Sequence, residues 1–248
     1  DIRTRERTGL PVFAAADGYV FRMRAWHNGY GRVLYIRHPA LDDTYTVYAH
    51  LETFAPRIEE RLRQAQLRQQ RFQQNLYFRA GELPVTQGQI IGFSGNTGSS
   101  AGPHLHFELR DAQDRILNPM DAFMDIVDDE LPPRLRKVAL VPLGPKSRIQ
   151  GLADRWEAWP SRSGDVYYER EVVEVNGPVG LQFSCYDNLN GSLNRNGIYR
   201  ARLYLGDSLL WQYTMDRFDF SSSYGIDFHI DMAQRVQRRW WFQKAYTT

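Results

Sequence analysis

The chain has 248 residues, 42% of them hydrophobic and 13% aromatic, enough to bury one large core or two ordinary ones. A formal net charge of +2, with arginine used far more than lysine, gives no argument for a nucleic-acid partner. No apolar run approaches the roughly 20 residues of a membrane helix, and the lone Cys185 excludes an intrachain disulfide or a cysteine zinc cluster.

In chain order, residues 11 to 51 read as β structure. Val12-Phe13-Ala14 leads into an Asp17-Gly18 turn, and Asn28-Gly29 is a hairpin signal between Tyr19–Trp26 and Arg32–His38. Asp42-Asp43 then turns the chain into Tyr45–Leu51, which carries His50. Residues 56 to 78 change character: Ile58, Leu62 and Ala65, then Phe72 and Leu76, recur at helical spacing after Pro56, with many charged residues between them. The pattern predicts an inserted amphipathic helix over about 56–78. Its arginines read either as a solvated face or as a wall beside a groove that takes an anionic polymer. β structure resumes at Gln89–Ser94 and Pro103–Arg110.

Asp125–Pro133, with Asp128-Asp129-Glu130 and Pro132-Pro133, predicts a linker over about 126–134. Beyond it, Lys137–Leu143, Glu171–Val175, Gly180–Tyr186, Tyr199–Leu205 and Leu209–Met215 read as short strands with Asn/Gly turns. An immunoglobulin-like β-sandwich over 135–248, whole or cut short at its end, is the expected fold.

The chemistry concentrates in Gly102-Pro103-His104-Leu105-His106-Phe107-Glu108. In a strand, positions i and i+2 share a face about 6.5 Å apart, so His104 and His106 reach one patch. Each ring carries two nitrogens that need partners, which suits a metal site or paired acid–base work. Spacing alone also allows both to ligate one ion. The glycine-rich Gly95–Gly102 run lacks the Gly-Lys-Ser/Thr ending of a phosphate loop, and reads as a low wall that lets an extended peptide approach His104. Tyr48, two before His50, is expected on its face, either as an oxyanion donor or as packing. His27, His38 and His229 read as structural or exposed.

The ordered set formed by Asp1, Gly9–Gly18, His50, Ser94–Gly102, His104, His106, Pro119 and Asp121 resembles the lysostaphin-type (LytM-type) zinc metalloendopeptidases. The resemblance covers about residues 1–125. It implies a mainly β fold, an antiparallel-sheet peptidase domain with the helix as an insertion. It also implies an endopeptidase that hydrolyses peptide bonds in bacterial peptidoglycan stems or cross-links through a zinc-activated water. Residue by residue, Asp1 and His106 match the family's Zn2+ ligands. The remaining ligand, a histidine in a His-x-x-x-Asp pattern, would lie upstream of Asp1. His50 and His104 match the pair that faces the water and the scissile carbonyl, one as base and the other as oxyanion stabiliser or acid. Such a substrate places the protein in the cell envelope, periplasmic or extracellular. The alternative is a non-catalytic member of the fold that binds and activates another cell-wall hydrolase. The C-terminal region would suit a cell-envelope protein partner, or a carbohydrate or peptide ligand.

Overall fold

The computed structural model describes residues 1–123, 125–192 and 194–247. The chain divides into two compact units, Asp1–Pro119 and Met120–Thr248; residue 248, where the expected accessory domain ends, lies outside the described residues.

The first unit runs β1 (Ile2–Arg3), β2 (Pro11–Phe13), β3 (Gly18–Ala25), β4 (Arg32–His38), β5 (Thr44–Ala49), β6 (Thr53–Phe54), α1 (Pro56–Gln69), β7 (Gln74–Tyr77), β8 (Pro84–Val85), β9 (Ile90–Phe93), β10 (His104–Arg110) and β11 (Ile116–Leu117). The main antiparallel sheet has the order β11-β10-β5-β4-β3-β7, with β1 on β10 and β8 on β3. A smaller sheet has the order β2-β9-β6.

Alternation decides which residues go to which face. Val20, Met23, Leu34, Ile36 and Tyr48 point to one side and join Val12, Leu51, Phe54 and Ile91 in a single core. Helix α1 closes that core with Ile58 and Leu62, and Ala65 continues its buried stripe at i, i+4 and i+7. Pro56 starts the helix at a position where a missing N–H costs nothing.

The helix is shorter than the pattern predicted. Gln70 adopts the left-handed conformation at φ 45° and its N–H caps Gln66 O, ending α1 at Gln69. Gln74–Tyr77 then pairs with Arg22–Ala25 as strand β7. Phe72 is 58% exposed rather than packed, while Leu76 packs on the core from a strand. Four-residue spacing fits a helix, but it also fits a strand pattern of period two, and the edge of β3 was available for pairing.

The opposite face of the main sheet carries Val33, Tyr35, Tyr45, Val47 and Ala49, with Phe21 and Tyr30 against them. Registered pairs place His106 opposite Ala49, Glu108 opposite Val47 and Arg110 opposite Tyr45. The same face continues through Val47–Tyr35 to Tyr35–Arg22.

The second unit is β-rich. Its four-stranded sheet orders Trp156–Ala158, Arg134–Pro142, Val179–Tyr186 and Gln243–Lys244. Hairpins form at Ser161–Ser163 with Val166–Tyr168, and at Arg200–Leu205 with Ser208–Thr214. The expected strand over Glu171–Val175 reduces to Val175–Asn176. The helical turns at Phe220–Gly225, Ile226–His229 and Met232–Arg238 were not foreseen.

Candidate active site

Strand β10 presents His104, His106, Glu108 and Arg110 on one face, as alternation requires. Antiparallel β1 sets Ile2 opposite Leu105 and Arg3 opposite His104, so Asp1 arrives beside His106. The Asp1 Oδ1 lies 2.9 Å from His106 Nδ1 and 3.6 Å from His104 Nε2. His50 joins from the end of β5: its ring centroid lies 4.8 Å from that of His104 and 5.8 Å from that of His106. One nitrogen from each of His50, His104 and His106 falls within 4.8 Å of the others. The structure thus brings all four expected residues together.

Two of the rings are held by backbone carbonyls. His50 Nδ1 donates to Thr97 O at 2.8 Å and His104 Nδ1 to Gly102 O at 2.8 Å. A neutral imidazole that donates through Nδ1 keeps Nε2 as its acceptor. Both rings therefore offer Nε2. The two carbonyls come from the Gly95–Gly102 loop, so that loop fixes ring tautomers as well as forming a wall. Burial is the main cause holding the His50 pKa below its ordinary value, with the neighbouring His104 and His106 adding to it against the Thr97 bond.

The loop is itself clamped. Thr97 Oγ1 accepts from Arg32 N and donates to Leu51 O. A Cβ on Gly98, whose φ is +78°, would lie 2.3 Å from Gly29 O and 2.4 Å from Gly31 N in the β3–β4 hairpin. Only glycine allows that approach. Arg32 also pairs with Glu59 in the first turn of α1, and Glu59 Oε2 accepts from Phe54 N at 2.9 Å. The helix thereby braces the start of β4, whose Arg32 N–H holds Thr97 of the loop.

His106 is held differently. Its Nε2 lies 2.6 Å from Glu108 Oε1, and Nδ1 faces Asp1. With Nε2–H donated to the carboxylate, Nδ1 is the lone-pair nitrogen. Glu108 is only 6% exposed. It also accepts from Tyr30 Oη and, at 2.6 Å, from Arg110 Nε. Burial alone would raise the Glu108 carboxyl, but the hydrogen bonds from His106 and Tyr30 and the Arg110 charge outweigh it, and the net shift is downward. Burial, and then the bond to Glu108, push the Tyr30 hydroxyl up.

Tyr48 is not in the site. It is 1% exposed in the opposite core, packs on Phe107, and its hydroxyl accepts from Ala15 N. His50 has φ +59°, which takes the chain out of strand geometry and breaks the i, i+2 rule. The tyrosine at the site is Tyr30, with its ring 5.0 Å from His106. His38 is buried and bonded to Asp17 O and Thr46 Oγ1. His27 contacts Gln73, and His229 stacks edge-on with Tyr213.

The donor chemistry fits a metal ion. Ligand bonds of about 2.0–2.2 Å at tetrahedral angles put neighbouring donor atoms about 3.3 Å apart. The Asp1–His106 separation of 2.9 Å lies a few tenths of an ångström inside that value. The acceptor on Nε2 of His106 is the carboxylate–histidine arrangement that orients a metal-binding imidazole.

The family model described as Peptidase family M23 matches residues 1–67 and 73–119. The "DD-carboxypeptidase/endopeptidase Mpg" of Neisseria meningitidis serogroup B is 36% identical over 102 residues, 41% of this chain and 17% of that protein. The "Peptidoglycan DD-endopeptidase ShyC" of Vibrio cholerae is 35% identical over 101 residues, 40% of this chain and 17% of that protein. The chain thus spans about a sixth of the length of these relatives. "Lipoprotein NlpD" of Yersinia enterocolitica is 30% identical over 112 residues, 45% of this chain and 88% of that protein. Among solved structures, the lysostaphin catalytic domain from Staphylococcus simulans aligns at 24% identity and a TM-score of 0.34, over 48% of this chain and 73% of that one.

Proposed function

This chain belongs to peptidase family M23 through its first unit, and from that premise we propose that it is a zinc-dependent endopeptidase acting on the peptides of bacterial peptidoglycan. One observation carries the reading: Asp1, His50, His104 and His106 converge, each ring with its tautomer set by a separate partner.

Asp1 Oδ1 and His106 Nδ1 would hold Zn2+, with a third ligand, a histidine, expected upstream of Asp1. Zinc, when bound, supplies a Lewis acid that polarises the scissile carbonyl and acidifies the attacking water. His50 and His104 work through their free Nε2 atoms. One takes the proton from the attacking water; the other stabilises the developing oxyanion or returns a proton to the leaving amine. The Thr97 and Gly102 carbonyls keep both rings in the tautomer those roles need. Glu108 orients His106, and Tyr30 and Arg110 hold Glu108 in turn.

A second reading takes His50, His104 and His106 together as the metal ligands, since their donor atoms lie within 4.8 Å. That span exceeds the roughly 3.3 Å a single tetrahedral ion needs, so the rings would have to close in. The family's cell-wall relatives support a site of action in the envelope, on the periplasmic or extracellular side. For the rest of the chain the proposal is a linker over 126–134 and an immunoglobulin-like accessory module over 135–248, a reading its antiparallel pairing supports.

The test is hydrolysis of purified sacculi, with released fragments identified by mass spectrometry. Peptide-bond cleavage that stops on chelation and returns with zinc supports the proposal. Intact sacculi, with stimulation of an added hydrolase, would favour the non-catalytic activator instead.

A further inference from the structure

The face of the main sheet that carries His106 also carries a basic cleft on its far side. Arg22 is paired opposite Tyr35 and Tyr77, and Arg24 opposite Val33 and Asn75. Direct antiparallel partners share a face. The chain of pairs His106–Ala49, Glu108–Val47, Val47–Tyr35 and Tyr35–Arg22 therefore puts the arginines on the histidine face. From β10 to β3 is three strand spacings, roughly 14 Å.

There Arg22, Arg24, Trp26 and Arg71 line a cleft of about 510 Å³, completed by glutamines and Asn75 and by no acid. The Arg24 and Arg71 guanidiniums lie 4.6 and 5.7 Å from the centre of the Trp26 ring. Arg22 stacks 4.8 Å from the Tyr35 ring and donates to Asn75 Oδ1 at 2.9 Å. None of the three forms an ion pair among the described residues. Arg32, Arg61, Arg63, Arg110 and Arg115 of the same unit are paired with carboxylates; what sets Arg22, Arg24 and Arg71 apart from its other unpaired arginines is that they converge on one cleft. Stacking on aromatic rings fixes the planar guanidiniums while leaving their N–H edges unmatched by charge. Convergent cations without a counter-charge form a ready anion site, and forked guanidiniums match a planar carboxylate in particular.

We propose that Arg22, Arg24 and Arg71, braced by Trp26, form a carboxylate-recognition subsite for an extended peptide whose scissile bond lies at the His50–His104–His106 site. The proposal rests on the endopeptidase reading for the position of the scissile bond. At about 3.4 Å per residue, a carboxylate some four residues from that bond spans the distance. The cleft would then set which peptides are held, not the rate of bond cleavage.

The test uses two synthetic cross-linked peptides, identical except that an acidic side chain distal to the scissile bond is a carboxylate in one and a carboxamide in the other. The wild-type chain should show a KM about tenfold lower for the carboxylate peptide. The R22Q/R24Q variant, with wild-type zinc content and circular dichroism, should raise that KM to the value for the carboxamide peptide. An equal preference in wild type and variant, or none in either, overturns the subsite. Calorimetric titration with the same peptides separates the two claims. Tighter binding of the carboxylate peptide, lost in R22Q/R24Q, without cleavage of either, upholds the subsite and sinks the endopeptidase reading. Binding of a soluble phosphate polymer with no discrimination between the peptides sinks the subsite.

Discussion

The two sides of the site are built from different materials. His50 and His104 hang from carbonyls of one glycine-rich loop, which is itself clamped by Thr97 and the β3–β4 hairpin. His106 is set in a regular strand between two carboxylates, one of them buried and paired with Arg110. A neutral carbonyl fixes which nitrogen carries the proton and leaves the ring free to exchange one at the other. A carboxylate on Nε2 fixes the ring's orientation and leaves Nδ1 with its lone pair for a cation. The difference supports the proposed division, with proton transfer on the loop side and metal binding on the strand side.

The comparison can be broken most severely on the loop side. His50→Ala and His104→Ala should each lower kcat by about 10²- to 10⁴-fold with little change in KM, measured on purified sacculi or a cross-linked peptide. A loss below tenfold would remove that histidine from the proton-transfer pair.

On the strand side, Glu108→Ala should weaken zinc binding by about 10- to 100-fold, read by competition with a chelating dye. Glu108→Gln keeps an oxygen acceptor for His106 Nε2 and should recover part of the loss. Equal affinity in both variants and wild type would show that the Glu108 bond leaves His106 unaffected.

The loop clamp gives a smaller, mixed effect. Gly98→Ala forces a Cβ against the Gly29 carbonyl at a positive φ. It should cost about 1–3 kcal/mol in chemical denaturation and lower kcat through the Thr97 carbonyl, with zinc affinity retained. Loss of zinc before loss of turnover would contradict the division of labour.

The smallest effect concerns His38, outside the site. Burial holds its pKa below the ordinary histidine value, against the opposing Asp17 contacts. The folded state therefore binds fewer protons than the unfolded one as pH falls from about 6.5 towards the lowered folded pKa. The stability from neutral His38 is present above that pH and is lost as pH falls through the folded pKa. His38→Gln should flatten the stability profile as pH falls below about 6.5, and an unchanged slope would assign acid sensitivity elsewhere.

What was legible in the sequence was local. Strand alternation in His104–Arg110 and the Asn28-Gly29 turn follow from period and turn chemistry. Extending the same alternation by two residues reaches Glu108, the residue that orients His106, so that signal was present. Tyr30 carried none: a hairpin and a strand far apart in sequence bring it to Glu108. Tyr48 was misplaced because the turn at His50 ends the strand rule one residue early. The end of α1 was missed because an edge strand competed for Gln74–Tyr77. In the second unit the alternation marked strands, but Val172 and Leu205 of the expected strands remain exposed, so periodicity there did not report packing.

Metal content measures the central division directly. Protein extended upstream of Asp1 would be loaded with zinc, dialysed and assayed by mass spectrometry for wild type, His106→Ala, His50→Ala and His104→Ala. The account predicts near-stoichiometric zinc in wild type and in the His50 and His104 variants, and loss of zinc in the His106 variant. Zinc lost as fully from His50→Ala or His104→Ala as from His106→Ala would contradict it and make the three histidines joint ligands.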